Sequence, residues 1–194
     1  MEATDLAAVE RTRAGDPAAF RVLVDRYGRS VFRLAYRMTN NEFDAEDVVQ
    51  ETFLRAYKQL DSYESRSSFS TWIYRIAANY SLDLIRSKKR HAARRAPEGI
   101  EQEDVLETVR ATDPGQDRLY YSAQLRQRLD AALQLLSEQE RTAFQLRHFE
   151  GQSIEEIGAI LGLGVSATKN SIFRAVRKVR EALEPAVSSY EAAP

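Results

Sequence analysis

The sequence predicts an all-α protein: two small helical domains joined by an acidic linker, the second containing a helix-turn-helix. Three observations lead there. Apolar residues recur at spacings of three and four over long stretches, and the alternation expected of a β-strand is missing. Glycine and proline are scarce, at 8 and 5 of 194 residues. The helical pattern breaks once at length, over residues 96–118, where acid, proline and glycine collect.

The chain opens "MEATDLAAVERTRAGD", with acids among its first residues and no apolar core, so these residues do not read as a signal peptide. Helical spacing then becomes clear in "FRVLVDRYGRSVFRLAYRMT", where Phe20, Leu23, Val24, Tyr27, Val31, Leu34 and Ala35 share a face. "NEFDAEDVVQETFLRAYKQL" repeats the pattern through Val49, Phe53, Ala56, Tyr57 and Leu60, with Asp44 as the expected N-cap. A polar turn, "DSYESRSS", precedes a third helix whose apolar face carries Trp72, Ile73, Ile76, Ala77, Tyr80, Leu84 and Ile85.

That helix ends in "RSKKRHAARR", with six bases and no acid. The next stretch, "APEGIEQEDVLETVRATDPGQD", has seven acids and one base, and reads as a linker holding at most a short helix near Asp104 to Val109. The sharp boundary divides the chain into domains at 1–95 and 119–184, with the linker at 96–118 and a tail at 185–194. In the second domain the spacing predicts helices over about 119–136, 138–149, 154–161 and 165–183. Ser137 with Glu140 and Ser153 with Glu156 form capping boxes, and Gly151 and Gly162 stand where helices should stop.

Composition narrows the function. Hydrophobic residues at 43% and charged residues at 29% describe a globular chain, without an apolar run of membrane-spanning length. Cysteine is absent, which excludes disulfides and thiolate metal sites, and His91 and His148 are the only histidines. No nucleophile–base pair, metal cluster or phosphate loop can be assembled, so the chain reads as no enzyme and nothing implies a cofactor. The missing export signals imply a cytoplasmic protein without membrane insertion. A net charge of −1 argues against a nucleic-acid partner only on average, because the charge is unevenly distributed.

The 23 residues from Ile157 to Val179 contain no acid. Ile154, Ile157 and Leu161 form the inner face of a short helix, Gly158 permits close packing, and "GLG" makes the turn. The following helix is expected to bury Thr168, Ile172, Val176, Val179 and Leu183. It presents Ser166, Lys169, Asn170, Phe173, Arg174 and Arg177 on the other side. These are the ingredients of a helix-turn-helix, whose second helix enters the major groove. Acid there would repel phosphate. A helical hairpin with a solvated basic face has the same spacing.

The cluster from Arg86 to Arg95 follows Tyr63, Phe69, Trp72, Tyr74, Asn79 and Tyr80, and aromatics beside bases suit single-stranded DNA. Trp72 and Tyr80, on the apolar face, read equally as core. The five acids from Glu42 to Glu51 suit a helix start through the macrodipole, or a docking face for a basic partner.

From Ala18 to Leu183 the chain resembles an RNA polymerase sigma factor of the extracytoplasmic-function group. The strongest stretches are "DAEDVVQETFLRAYKQLDSY", "FSTWIYRIAANYSLDLIR", "LSEQERTAFQLRHFEGQSIEEIGAILGL" and "RAVRKVREAL". The resemblance implies that Asp44, Asp47, Val48, Gln50 and Glu51 dock on the clamp helices of the polymerase largest subunit, and that the second domain meets the flap region. It implies that Tyr63, Ser67, Ser68, Phe69, Arg75, Asn79, Lys88 and Arg90 open and hold the promoter −10 element. Ser166, Lys169, Asn170, Ser171, Phe173, Arg174 and Arg177 would read the −35 element. The linker would pass through the polymerase cleft. Further partners implied are promoter DNA and an anti-sigma factor, often membrane-tethered and so able to hold the protein at the membrane. No small-molecule substrate is implied.

Two positions depart from the family pattern: Thr168 stands where valine is usual, and Ser171 where arginine is common. The Thr168 hydroxyl then needs a partner. Without the adjacent aromatic pair of housekeeping sigma factors, the melting helix implies a demand for a close promoter match. Two other readings account for less. A stand-alone helix-turn-helix regulator leaves the acidic helix, aromatic loop and linker unexplained. A helical adaptor without a DNA role leaves the acid-free face unexplained.

Overall fold

The computed structural model describes residues 2–95, 128–129 and 131–191, with side chains described only between residues 4 and 184. The acidic linker, its short helix and the first turns predicted from residue 119 lie outside the described residues. All regular structure among the described residues is helical. The elements with described bounds are α1 (Glu2–Arg13), α2 (Pro17–Thr39), α3 (Glu42–Lys58), a 3-10 turn (Leu60–Ser62), α4 (Phe69–Arg95), α5 (Glu138–His148), α6 (Ile154–Leu161) and α7 (Val165–Glu191), and residues 128–129 and 131–134 are helical as well.

Helix α2 starts where Asp16 accepts from the Ala18 and Ala19 amides and Pro17 supplies a preset φ. It buries Phe20, Leu23, Tyr27, Val31, Leu34 and Ala35 as spaced. Asn41, not Asp44, caps α3: Asn41 is extended and its side chain accepts from the Asp44 amide. Asp44 therefore falls inside the first turn. Helix α4 joins Trp72, Ile73 and Ala77 to that core, with Ile76, Tyr80, Leu84 and Ile85 at its margin.

Sequence periodicity does not reveal α1. Of its apolar residues only Ala8 and Val9 are deeply buried. Polar contacts hold it instead: Asp5 accepts from the Tyr27 hydroxyl at 2.6 Å and pairs with Arg26. Burial and the Asp5 hydrogen bond push the Tyr27 hydroxyl pKa up, so it remains a donor.

Both capping boxes form, at Ser137/Glu140 and Ser153/Glu156. Gly162 ends α6 in the left-handed region at φ 67°, where glycine carries no Cβ penalty. Helix α7 continues past Leu183 to Glu191.

The C-terminal helices lie on the N-terminal bundle. Ala143, Leu146, Ile157 and Ile160 join the same apolar core as α2 and α4. Ala132, Leu136, Phe144, Ala175 and Val179 form a second core beneath α7.

Candidate nucleic-acid interface

Helix α7 is aimed by a tight turn. A Cβ on Gly158 would stand 2.8 Å from the Leu163 carbonyl oxygen and 3.2 Å from Thr168 Oγ1, so only glycine allows this approach. Thr168 is fully buried and its hydroxyl donates to the Gly164 carbonyl at 3.1 Å, which supplies the partner that the sequence required.

The buried stripe of α7 differs from the expected one. Thr168, Ser171, Ala175 and Val179 are buried, whereas Ile172, Val176 and Leu183 are half-buried at its sides. Small side chains at 171 and 175 let the backbone approach α5, where Gln139 Nε2 donates to Ser171 Oγ at 3.0 Å. Ser171 therefore faces α5. The other expected residues, Ser166, Lys169, Asn170, Phe173, Arg174 and Arg177, are all exposed, and Phe173 is 67% exposed. Val165, also exposed, extends the face. At the far end of the face Arg177 pairs with Glu181 at 3.6 Å.

On α4 the candidates divide. Arg75, Asn79 and Arg90 are exposed, and with Arg86 they follow the helical period along one stripe. Tyr63 and Phe69 are buried with Trp72, at ring-centroid distances of 5.1–5.7 Å. They shape the loop from inside and cannot stack on a base without rearrangement. Ser68 starts α4, its Oγ accepting from the Thr71 amide at 3.1 Å, and the Tyr63 hydroxyl donates to the Ser67 carbonyl at 2.8 Å. Glu64, Ser65 and Arg66 form the exposed tip, with Ser65 in the left-handed region at φ 56°.

Lys88, though exposed, is tied back to α3, with its Nζ 2.6 Å from both oxygens of Asp44. That pair and the full burial of Val48 leave Asp47, Gln50 and half-buried Glu51 as the accessible members of the α3 set. Exposed Phe43 and Leu54 align with Asp47 and Gln50 at spacings of four, three and four. Their signal was available in the sequence: two apolar residues out of phase with the core face.

No group of three or more His, Cys, Asp or Glu residues that could hold a metal occurs among the described residues. Nor is any described helix long and apolar enough to cross a membrane.

Residues 23–91 match the family description Sigma-70 region 2, and residues 126–179 match Sigma-70 region 4. The chain is 36% identical to the extracytoplasmic-function sigma-E factor of Salmonella typhimurium, over 95% of this chain and 96% of that protein. The chain belongs to the extracytoplasmic-function sigma factors. It is also 36% identical to the sigma factor SigE of Mycolicibacterium smegmatis, over 87% of this chain but only 64% of that longer protein. Among solved structures it is similar to CnrH bound to the cytosolic domain of CnrY, with a TM-score of 0.68 and 27% identity over 94% and 98% of the two chains.

Sigma factors act in transcription initiation, through core RNA polymerase and promoter DNA, and are not a family of enzymes. The family places region 2 on α2–α4 and region 4 on α5–α7. In this sigma factor the two regions touch through buried polar groups. Glu150, whose side chain is 3% exposed, lies 2.8 Å from Arg37 and 3.0 Å from the Tyr74 hydroxyl. Burial pushes the Tyr74 pKa up to about 12, so it donates throughout the physiological range.

Proposed function

We propose that residues 1–95 dock on core polymerase and engage the −10 element, that residues 119–184 read the −35 element, and that residues 96–118 connect them. On α7, Lys169, Asn170, Phe173 and Arg174 reach base edges, while Ser166 and Arg177 hold flanking phosphates. Val165 adds apolar contact, and Ser171 fixes the helix on α5. The observation that carries this reading is the wholly exposed, acid-free face of α7 behind the Gly158 turn.

On α4, Arg75, Asn79 and Arg90 contact the −10 element. The tip at Glu64–Ser67 receives an unstacked base, and Tyr63, Ser68 and Phe69 support its walls. Flipping a base costs a few kcal/mol, which a preformed pocket recovers. Asp47, Gln50 and Glu51, flanked by Phe43 and Leu54, meet the polymerase clamp, while Asp44, Val48 and Lys88 stiffen this face from behind.

The protein is cytoplasmic and answers to an anti-sigma factor. CnrH, similar in fold and 27% identical, is held by the cytosolic domain of CnrY.

The test is complex formation with bacterial core polymerase, comparing wild type with an Asp47→Lys, Glu51→Lys variant, followed by transcription from a matched promoter. Tight binding weakened by the charge reversal is expected. If wild type ignored core polymerase yet bound duplex DNA alone, the first-domain assignments would fall.

A further inference from the structure

The charged contacts that join the C-terminal helices to the N-terminal bundle run in one direction. One hydrogen bond runs from Gln145 Nε2 to the Arg37 carbonyl at 2.8 Å, but wherever a carboxylate takes part, the bundle contributes the donors and the C-terminal helices the carboxylate. Arg37 and the Tyr74 hydroxyl converge on Glu150, and Arg37 also lies 4.1 Å over the Phe149 ring. Arg86 and Lys89 converge on Glu138 at 3.0 and 3.1 Å. The Thr71 hydroxyl donates to Glu156 at 3.2 Å. At three separate points, then, an oxyanion from the second half occupies donors on α2 and α4. Arg86 and Lys89 belong to the basic run that ends α4, and Arg86 lies on the stripe of Arg75, Asn79 and Arg90.

We propose that Arg37 with Tyr74, and Arg86 with Lys89, are phosphate sites for the single-stranded −10 region, and that Glu150 and Glu138 occupy them as internal competitors of DNA. This rests on the reading of α4 as the −10 surface. The chemistry is a matched exchange. Carboxylate and phosphate oxygens accept the same charge-assisted hydrogen bonds, so the donors remain satisfied in either state. The exchange is reciprocal: whatever draws the C-terminal helices away exposes the sites, and DNA bound at the sites disfavours their return. The α7 face takes no part. Its reading residues are exposed in this packed arrangement, so −35 contact requires no release.

The consequence is selective. Removing the two carboxylates strengthens binding of −10 single strands and leaves −35 duplex binding unchanged. A merely structural interface would not separate the two.

The sequence has no native cysteine, so Lys58→Cys and Glu155→Cys give the full chain two unique label positions, both exposed. Energy transfer between dyes there reports separation of the halves, and anisotropy reports binding of a −10 single-stranded oligonucleotide and of a −35 duplex. The expected result is that saturating oligonucleotide lowers energy transfer. Glu138→Gln with Glu150→Gln should lower it without DNA and tighten oligonucleotide binding about fivefold, with duplex affinity unchanged. A double variant that opens without gaining oligonucleotide affinity overturns the proposal, as does one that stays closed. So does wild type that binds oligonucleotide with energy transfer intact. A chain that binds neither core polymerase nor promoter DNA would instead refute the sigma reading, which the polymerase assay above registers separately.

Discussion

The guanidinium of Arg13, at the end of α1, donates to the Leu60 carbonyl at 2.6 Å and to the Tyr63 carbonyl at 2.5 Å. One side chain thus ties the N-terminal helix to both ends of the turn that leads into the α4 loop. The same loop is held from within by the Tyr63 hydroxyl on the Ser67 carbonyl. Its exposed tip at Glu64–Arg66 therefore stands on two anchors, the Arg13 guanidinium outside and the Tyr63 hydroxyl within.

Arg13→Ala removes charge-assisted hydrogen bonds, and its expected cost is about 1.5–3 kcal/mol. In a chain of this size that lowers the melting temperature by about 2–4 °C per kcal/mol. Promoter opening, followed by permanganate reactivity of unpaired thymines, should fall further than duplex −35 binding. Arg13→Lys should restore part of it. Equal losses in both assays would show that α1 serves stability alone.

The turn before α7 gives a sharper prediction. Gly158→Ala places a methyl group against the Leu163 backbone oxygen, which cannot rotate away. Overpacking of this kind costs about 1–3 kcal/mol. Calorimetry and −35 duplex binding should decline together, because the displaced element aims the reading helix. Thr168→Val should be tolerated within about 1 kcal/mol, since the Gly164 carbonyl also accepts from the Thr168 amide. A Gly158→Ala protein with wild-type stability would refute the close-approach argument.

Much of this fold was legible because its signals are local. Ser137 with Glu140, Ser153 with Glu156, and Gly162 each act within one helical turn, and all form as spaced. The features not legible in the sequence depend on contacts between residues far apart along the chain. Arg37 and Glu150 are 113 residues apart, and no periodicity links them. Helix α1 was hidden because Asp5, Arg26 and Tyr27 anchor it, and polar anchors leave no apolar stripe. Asn41 and Asp44 are both residue types that cap helices, and only the backbone decides between them: Asn41 is extended, as a cap must be. Ser171 enters the −35 set only through the family resemblance, and its small size brings it against α5 instead.

On the face of α7, exposed side chains should contribute to DNA binding without contributing to stability. Phe173→Ala and Lys169→Ala are expected to leave the unfolding free energy within about 0.5 kcal/mol of wild type. Loss of a base-edge contact should weaken a matched −35 duplex by about 1–3 kcal/mol, and loss of a phosphate contact should lower the salt slope by about one. Titration across salt concentrations distinguishes the two. A Phe173→Ala protein that unfolds at lower temperature would place that ring in the core instead.

The α3 face divides in the same way between surface and support. Phe43→Ala and Leu54→Ala should weaken core polymerase binding while leaving the fold intact, since both side chains are exposed. Val48→Asp should unfold the bundle, because it buries an unpaired charge among apolar neighbours. Surface plasmon resonance on immobilised core polymerase, alongside circular dichroism, reads both. Unchanged polymerase binding by the Phe43→Ala, Leu54→Ala double variant would remove the apolar flanks from the docking face.

Acid should loosen the C-terminal helices before the rest. Burial pushes the Glu140 carboxyl up, but hydrogen bonds from Lys178 and the Ser137 cap outweigh it, so its pKa lies below the ordinary value of 4.5. Glu156 behaves alike: burial is outweighed by its bonds to Ser153 and Thr71. Each group binds its proton less tightly folded than unfolded. Their stabilisation is therefore complete above about pH 4.5 and is lost as pH falls through the lower folded values. A Glu140→Gln, Glu156→Gln variant should melt below wild type near about pH 6, and the gap should close toward about pH 3. Melting curves that stay parallel across that range would show that neither carboxylate contributes as an ion.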